Sequence, residues 1–269
     1  MSDVIIHTEN MEKGDKMADC KIITHRGANK YAPQNTLHAF KRAVEIGTDG
    51  FETDVHITKD GEVVLCHNYT IDETSTGKGH ISEKILAELK SYDFGSYFSK
   101  KFQGTEIPTL DEFLSFVETT DISVLNIEIK SPKENETGIV KKTIEAVKEH
   151  GLFDRLLISS FDPKLLVEAK DIDPKCQTGF LYAPNHLITY KMFWRAVDFA
   201  KEIKADALHP QFLYVDKKYV DKAHAAGIKV NPWTVDDPGF IDKMLRSGVD
   251  GIITDLPDVV GGMMERYAD

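Results

Sequence analysis

Eight short apolar runs, joined over most of the chain by helical patterns, predict an α/β fold, a (β/α)8 TIM barrel with a small insertion after the second strand region. Two further observations agree. The 269 residues suit one such barrel, typically about 250 residues, better than two domains. Polar groups also gather where the first strands stop, at His25-Arg26-Gly27, at Glu52-Thr53-Asp54 and at His67, as they would if these ends converged at the mouth of a parallel barrel.

Residues 1–19 carry mixed charge without a clean period and are read as a flexible N-terminal arm or a cover for the barrel bottom, leaving residues 20–269 as a single barrel domain. Lys21-Ile22-Ile23 opens the first strand. Leu37, Phe40, Ala43, Val44 and Ile46 then recur at helical spacing, with Asn35 or Thr36 as N-cap and Gly47 as the stop. A second strand follows over residues 50–56, and the run 62–66 adds a strand that delivers His67. The stretch of about 68–110 is expected to be an insertion, read as a lid over the mouth. Helical patterns lie at 81–89 and 110–117, and Phe94, Tyr97, Phe98 and Phe102 are assigned to the lid core, with the lining of an apolar groove as the alternative. Residues 122–130 alternate as a strand that ends with Glu128 and Lys130 on one face. Beyond it the alternation is regular: helices at 136–150, 163–170, 192–201, 217–226 and 238–247, strands at 156–159, 176–181, 205–209, 228–231 and 251–254. Barrel strands thus end at His25, Asp54, Lys130, Ser159, Leu181, His209, Trp233 and Thr254. Residues 265–269 are read as a frayed end.

A net charge of −11 offers no basic stripe for phosphate backbones, so no nucleic-acid partner and no stable membrane association are expected. No apolar run is long enough to span a bilayer. Acidic residues through the first twenty positions exclude a secretory signal there. Cys20, Cys66 and Cys176 are odd in number and widely spaced, which fits neither a disulfide framework nor a zinc site and points to a reducing, cytoplasmic setting.

The chemistry begins with Glu52 and Asp54. Side chains two apart on a strand share a face, and two carboxylates so placed repel unless a cation lies between them. Oxygen ligands of this kind select hard divalent ions, Mg2+ or Ca2+. Taken alone, such a pair is more often the solvated face of an edge strand, but strands ending in His-Arg-Gly and in His flank this one. Gly77-Lys78-Gly79 and Gly261-Gly262 follow no strand at the spacing of a phosphate loop.

His25-Arg26-Gly27, Pro33-Gln34-Asn35-Thr36, Glu52-Thr53-Asp54-Val55, His67, Ile107-Pro108-Thr109-Leu110, Ile127-Glu128-Ile129-Lys130, Trp233-Thr234 and the run from Gly248 to Asp255 together resemble the glycerophosphodiester phosphodiesterases of the bacterial, cytoplasmic type. The resemblance covers about residues 21–257. It implies a barrel, a divalent metal ion, and hydrolysis of small-molecule glycerophosphodiesters to sn-glycerol 3-phosphate and an alcohol. Two positions depart from the family pattern. Gln34 replaces a Glu and is expected to matter little. Asn68 replaces the Asp after the histidine; an amide still binds the ring but does not stabilise imidazolium by charge, so lowered activity is expected if that Asp orients the catalytic ring.

With the resemblance, His25 and His67 become the catalytic acid and base, since imidazole takes and returns a proton near neutrality, although which is which stays open. Glu52, Asp54 and Glu128 become the metal ligands, with an ion pair to Lys130 as the plainer role for Glu128. Arg26 presents a planar fork to a phosphodiester oxygen and Lys130 adds a second cation. Trp233 packs on glycerol carbons, and Phe161 and His209 are at most pocket-lining. The rival readings are a lysophospholipase D-like phosphodiesterase and a non-catalytic phosphodiester-binding barrel.

Overall fold

Among the described residues, nine strands account for the apolar runs: β1 (Lys21–His25), β2 (Gly50–Ile57), β3 (Val63–Leu65), β4 (Val124–Ile129), β5 (Leu156–Ser160), β6 (Gln177–Tyr182), β7 (Ala207–Pro210), β8 (Lys229–Val230) and β9 (Gly251–Thr254). The computed structural model describes residues 20–130, 138–184, 186, 189 and 193–268, so the expected N-terminal arm lies outside the described residues. Eight strands run parallel in the order β8-β7-β6-β5-β4-β2-β1-β9, and β3 pairs antiparallel with β2. Backbone bonds from Asp250 N–H to Val230 O and from Ile253 N–H to Pro232 O, both 3.0 Å, bring the β9 segment back beside the β8 segment, so that the barrel is nearly closed.

The helices are α1 (Leu37–Ile46), α2 (Leu86–Leu89), α3 (Leu110–Val117), α4 (Ile139–Glu149), α5 (Pro163–Ile172), α6 (Ala196–Glu202), α7 (Lys217–Ala225), α8 (Pro238–Ser247) and α9 (Pro257–Ala268). Alternate strand residues, including Phe51, Leu125, Ile127, Ile158, Phe180, Leu208 and Ile252, face outward into one continuous core with helix residues such as Phe40, Phe113, Val140, Leu166 and Ile241. Phe40 meets Phe51 at 5.2 Å and Phe113 at 4.4 Å between ring centroids. Burying each such ring is worth about 1.5–3 kcal/mol. The other strand face is turned to the barrel axis and mixes apolar Ile23, Leu157, Leu181 and Ile253 with polar Glu52, Asp54, Asn126, Glu128, Ser159, His209 and Asn231, all buried.

Four local expectations differ from the structure. The 81–89 pattern yields a 3-10 turn at Ile81–Glu83 and one turn of helix, separated by extended Lys84 and Ile85. So short an isolated helix gains little from its own hydrogen bonds, and Asp60 fixes its start by accepting from Leu86 N–H at 3.0 Å. The 110–117 helix buries Leu110, Phe113, Leu114 and Val117 in the barrel core and so serves as a barrel crossover rather than as lid. The segment before it forms a smaller core from Val64, Cys66, Ile71, Ile81, Leu89, Phe94 and Ile107, while Tyr97 and Phe98 stay 40% and 37% exposed. Finally, residues 265–268 are not frayed but belong to α9, which buries Val260.

Candidate active site

Strand register assembles the site. His25 on β1 lies opposite Glu52 on β2, and Asp54 lies opposite Glu128 on β4. Two-residue periodicity then turns Glu52, Asp54, Glu128 and Lys130 toward the axis at one rim. One carboxylate oxygen from each of Glu52, Asp54 and Glu128 falls within 4.8 Å of the others. All three residues are buried. Hard oxygen donors packed this closely fit a divalent cation, so the buried acidic triad can hold a metal.

Two cations enter the same cluster. Lys130 Nζ lies 2.5 Å from Glu128 Oε1 and 2.8 Å from Asp54 Oδ1, and Arg26 Nε lies 3.5 Å from Asp54 Oδ2. The balance of three carboxylates against two cations sets the titration. Burial opposes ionisation of Asp54, but Lys130 and Arg26 outweigh it and hold its carboxyl far below the usual range. Burial pushes Glu52 well up, with repulsion from Asp54 and Glu128 adding to it. Glu128 is also raised, by burial first, against the pull of Lys130. Burial would strip Lys130 of its proton, yet Asp54 and Glu128 keep it charged.

The loop after β1 is built to aim side chains. Arg26 adopts φ 58, a left-handed conformation costly for a residue with a side chain, and Gly27 follows at φ 76. A Cβ on Gly27 would stand 2.7 Å from that of Ala39, so only glycine fits. Arg26 N–H donates to Glu52 Oε2 at 3.0 Å, and its Nη1 donates to Gln34 Oε1 at 2.7 Å. Asn35, also left-handed at φ 54, donates from Nδ2 to Asp54 Oδ2 at 2.9 Å and accepts from Thr53 Oγ1 at 2.9 Å. Thr36, not Asn35, caps α1, accepting from Ala39 N–H at 3.4 Å.

The two histidines are held alike but backed differently. His25 Nδ1 is 2.6 Å from Asp255 Oδ1, and Asp255 also receives Asn29 Nδ2 at 2.6 Å and pairs with Lys30 Nζ at 3.1 Å. His67 Nδ1 is 2.7 Å from Asn68 Oδ1, whose amide Nδ2 donates to Glu73 Oε2 at 2.8 Å. Each partner oxygen accepts from Nδ1–H, which leaves Nε2 as the free basic nitrogen. Burial lowers the proton affinity of both rings. Asp255 opposes that at His25, while at His67 burial, joined by Lys130 and Arg26, outweighs the pull of Asp54 and lowers the ring to about 4.

Trp233 stands just beyond β8, its Nε1–H donating to His209 O at 2.7 Å and its ring meeting the edge of Phe161 at 5.5 Å. Phe161 stacks on His186 at 4.1 Å. His209 does not line the mouth: it is fully buried, accepts Asn231 Nδ2 at 3.1 Å and occupies the space a side chain at Gly179 would need. Sequence reasoning missed Asp255 and Asn35. Asp255 was visible as the polar end of a strand, yet its partner lies 230 positions away.

A sequence profile described as the glycerophosphoryl diester phosphodiesterase family matches residues 25–259. A glycerophosphodiester phosphodiesterase of Caldanaerobacter subterraneus is 39% identical over 245 residues, covering 91% of this chain and 98% of that one. One from Bacillus altitudinis is 33% identical over 240 residues, covering 88% and 95%. Among solved structures, an Oleispira antarctica phosphodiesterase in complex with the product sn-glycerol-3-phosphate superposes with a TM-score of 0.79 at 29% identity, covering 91% of this chain and 96% of that one. The chain therefore belongs to the glycerophosphoryl diester phosphodiesterase family.

Proposed function

We propose that this protein hydrolyses glycerophosphodiesters to sn-glycerol 3-phosphate and an alcohol, using Mg2+ or Ca2+ held by Glu52, Asp54 and Glu128. The observation that carries the reading is the meeting of three buried carboxylates, Lys130 and Arg26 at one rim between two histidines. What a divalent cation bound by those carboxylates supplies is positive charge beside the phosphoryl oxygens. Arg26 grips one oxygen and Lys130 another, and both favour the transition state because charge grows there as the new bond forms. Trp233, fixed by its bond to His209, packs on the glycerol carbons.

His25 is the better proton acceptor, because the Asp255 carboxylate stabilises the imidazolium it becomes. It takes the proton of the nucleophile. His67 then serves as the acid for the departing alcohol. A bound phosphodiester anion offsets the charges of Lys130 and Arg26, which add to burial in holding its proton affinity down.

The substrate is a small molecule. A net charge of −11 argues against nucleic acid and against stable membrane association, and three cysteines, odd in number and widely spaced, favour the cytoplasm. Among the described residues, no helix is long and apolar enough to cross a membrane.

Turnover of glycerophosphocholine with Mg2+ or Ca2+, read as glycerol 3-phosphate released, tests the proposal. Lysophosphatidylcholine run in parallel tests the lysophospholipase D-like alternative. Binding without turnover of either diester would establish a non-catalytic phosphodiester-binding barrel instead.

A further inference from the structure

Nothing in the site described so far receives the alcohol half of the diester. Trp233 serves the glycerol half at the β8 end of the mouth. On the β1–β2 side a run of aromatic rings begins next to the phosphate-gripping arginine: Arg26 donates to Gln34, and Gln34 N–H donates to Tyr97 Oη at 3.1 Å. From Tyr97 the run leads outward ring by ring, to Phe98 at 6.5 Å, to Phe102 at 5.7 Å and to His38 at 5.3 Å.

These rings are neither core nor mobile fringe. Tyr97 and Phe98 lie outside the small core that takes Phe94. The loop that carries them is pinned at its neck by Phe94 N–H to Thr105 O at 2.7 Å, and Asp93 Oδ1 accepts from Gly95 N–H at 2.7 Å and Ser96 N–H at 3.1 Å. Gly95 is packed so closely on Phe102 O that no side chain fits there. Such bracing presents the rings in place before a ligand arrives.

The far end of the run carries positive charge. Lys41, Lys100 and Lys101 carry no ion pair among the described residues, in a chain of net charge −11. Lys101 Nζ lies 5.4 Å from the Phe102 ring, and Lys41 and Lys101 add to burial in disfavouring protonation of His38. Unpaired ammonium groups repel a quaternary ammonium head and attract an anion. The rings suit the carbon-bound face of a polyol.

We propose that Tyr97, Phe98 and Phe102, with Lys100 and Lys101 at their outer end, form the subsite for the alcohol half of the substrate and select a polyol that bears an anionic group, such as a phosphorylated inositol, over choline. The proposal rests on the hydrolase reading above.

The test compares kcat/KM for glycerophosphoinositol 4-phosphate, glycerophosphoinositol and glycerophosphocholine at fixed ionic strength. The phosphorylated inositol should be favoured over the unphosphorylated one by about fivefold or more, and choline should rank last. In a Lys100→Ala, Lys101→Ala double variant the ratio between the two inositol substrates should fall to about one, and in wild type about 0.5 M salt should erase most of it. Phe98→Ala should raise KM for both inositol substrates more than kcat falls. A faster choline substrate, or a ratio untouched by the double lysine change, overturns the subsite. If none of the three turns over, the hydrolase reading fails on its own. Calorimetry then decides the subsite, since binding of glycerophosphoinositol 4-phosphate must weaken on loss of the two lysines.

Discussion

His25 and His67 make the same Nδ1 hydrogen bond, but a carboxylate receives one and an amide the other. Replacing Asn68 by Asp puts a negative charge behind His67 and raises its proton affinity from about 4 toward the working range. Because a general acid must carry its proton, Asn68→Asp should increase kcat near neutral pH by about threefold or more for poor leaving groups. A nitrophenyl ester, which leaves without protonation, should change little. pH-rate profiles with both substrates measure this, and equal gains would remove His67 from the acid role. Asp255→Asn should act in the opposite sense on His25, losing about tenfold or more in kcat, since the imidazolium loses its charge partner. Arg26→Lys keeps the charge but loses the fork that holds Gln34 and, on the proposed reading, would grip the phosphate. A fall in kcat/KM of about tenfold, equivalent to about 1.4 kcal/mol, is expected, and wild-type values would show that Arg26 grips no phosphate.

Most elements were legible because their patterns are local. The β2 and β4 runs alternate, so Glu52 with Asp54 and Glu128 with Lys130 could each be placed on one face two residues at a time, while Glu128 joined the carboxylate pair only through the resemblance. What escaped depends on distant or weak signals. α9 hides its helical period behind Gly261 and Gly262, and it holds because Val260 packs in the barrel core. The lip aromatics read as core from composition alone, yet only Phe94 found a buried place. Asn35 sits where a helix cap is expected, and only the approach of β2 reveals that it holds Asp54. Helix α3 shows how local chemistry fixes an element: Thr109 Oγ1 accepts from Glu112 N–H at 3.1 Å while Glu112 Oε2 accepts from Thr109 N–H at 2.8 Å. Thr109→Ala should cost about 1 kcal/mol, seen as a lower urea midpoint with KM unchanged. A rise in KM would instead tie α3 to the site.

At the scale of the whole molecule, the barrel concentrates like charge at one rim, and that makes its stability depend on metal and pH together. Glu52 and Glu128 have proton affinities raised in the folded state above the ordinary 4.5, mainly by burial. Between that ordinary value and their folded values the native protein binds more protons than the unfolded chain, so these two groups make stability fall as pH rises. Asp54 and Asp255, whose folded values are depressed, act only at lower pH, where their ionised forms become protonated. A divalent cation bound by the triad would hold Glu52 and Glu128 ionised and compete with their protons, so its stabilising effect would grow as pH rises through the same window. Thermal melts with excess Ca2+ or Mg2+ and with excess chelator, taken from about pH 5 to pH 8, should therefore diverge: a small gain in Tm at the acid end and a larger one at the alkaline end. Glu52→Gln removes one of the competing protons and one ligand, and should flatten the pH dependence of the difference as well as shrink it. A gain in Tm that is independent of pH, or unchanged in Glu52→Gln, would place the metal away from this triad.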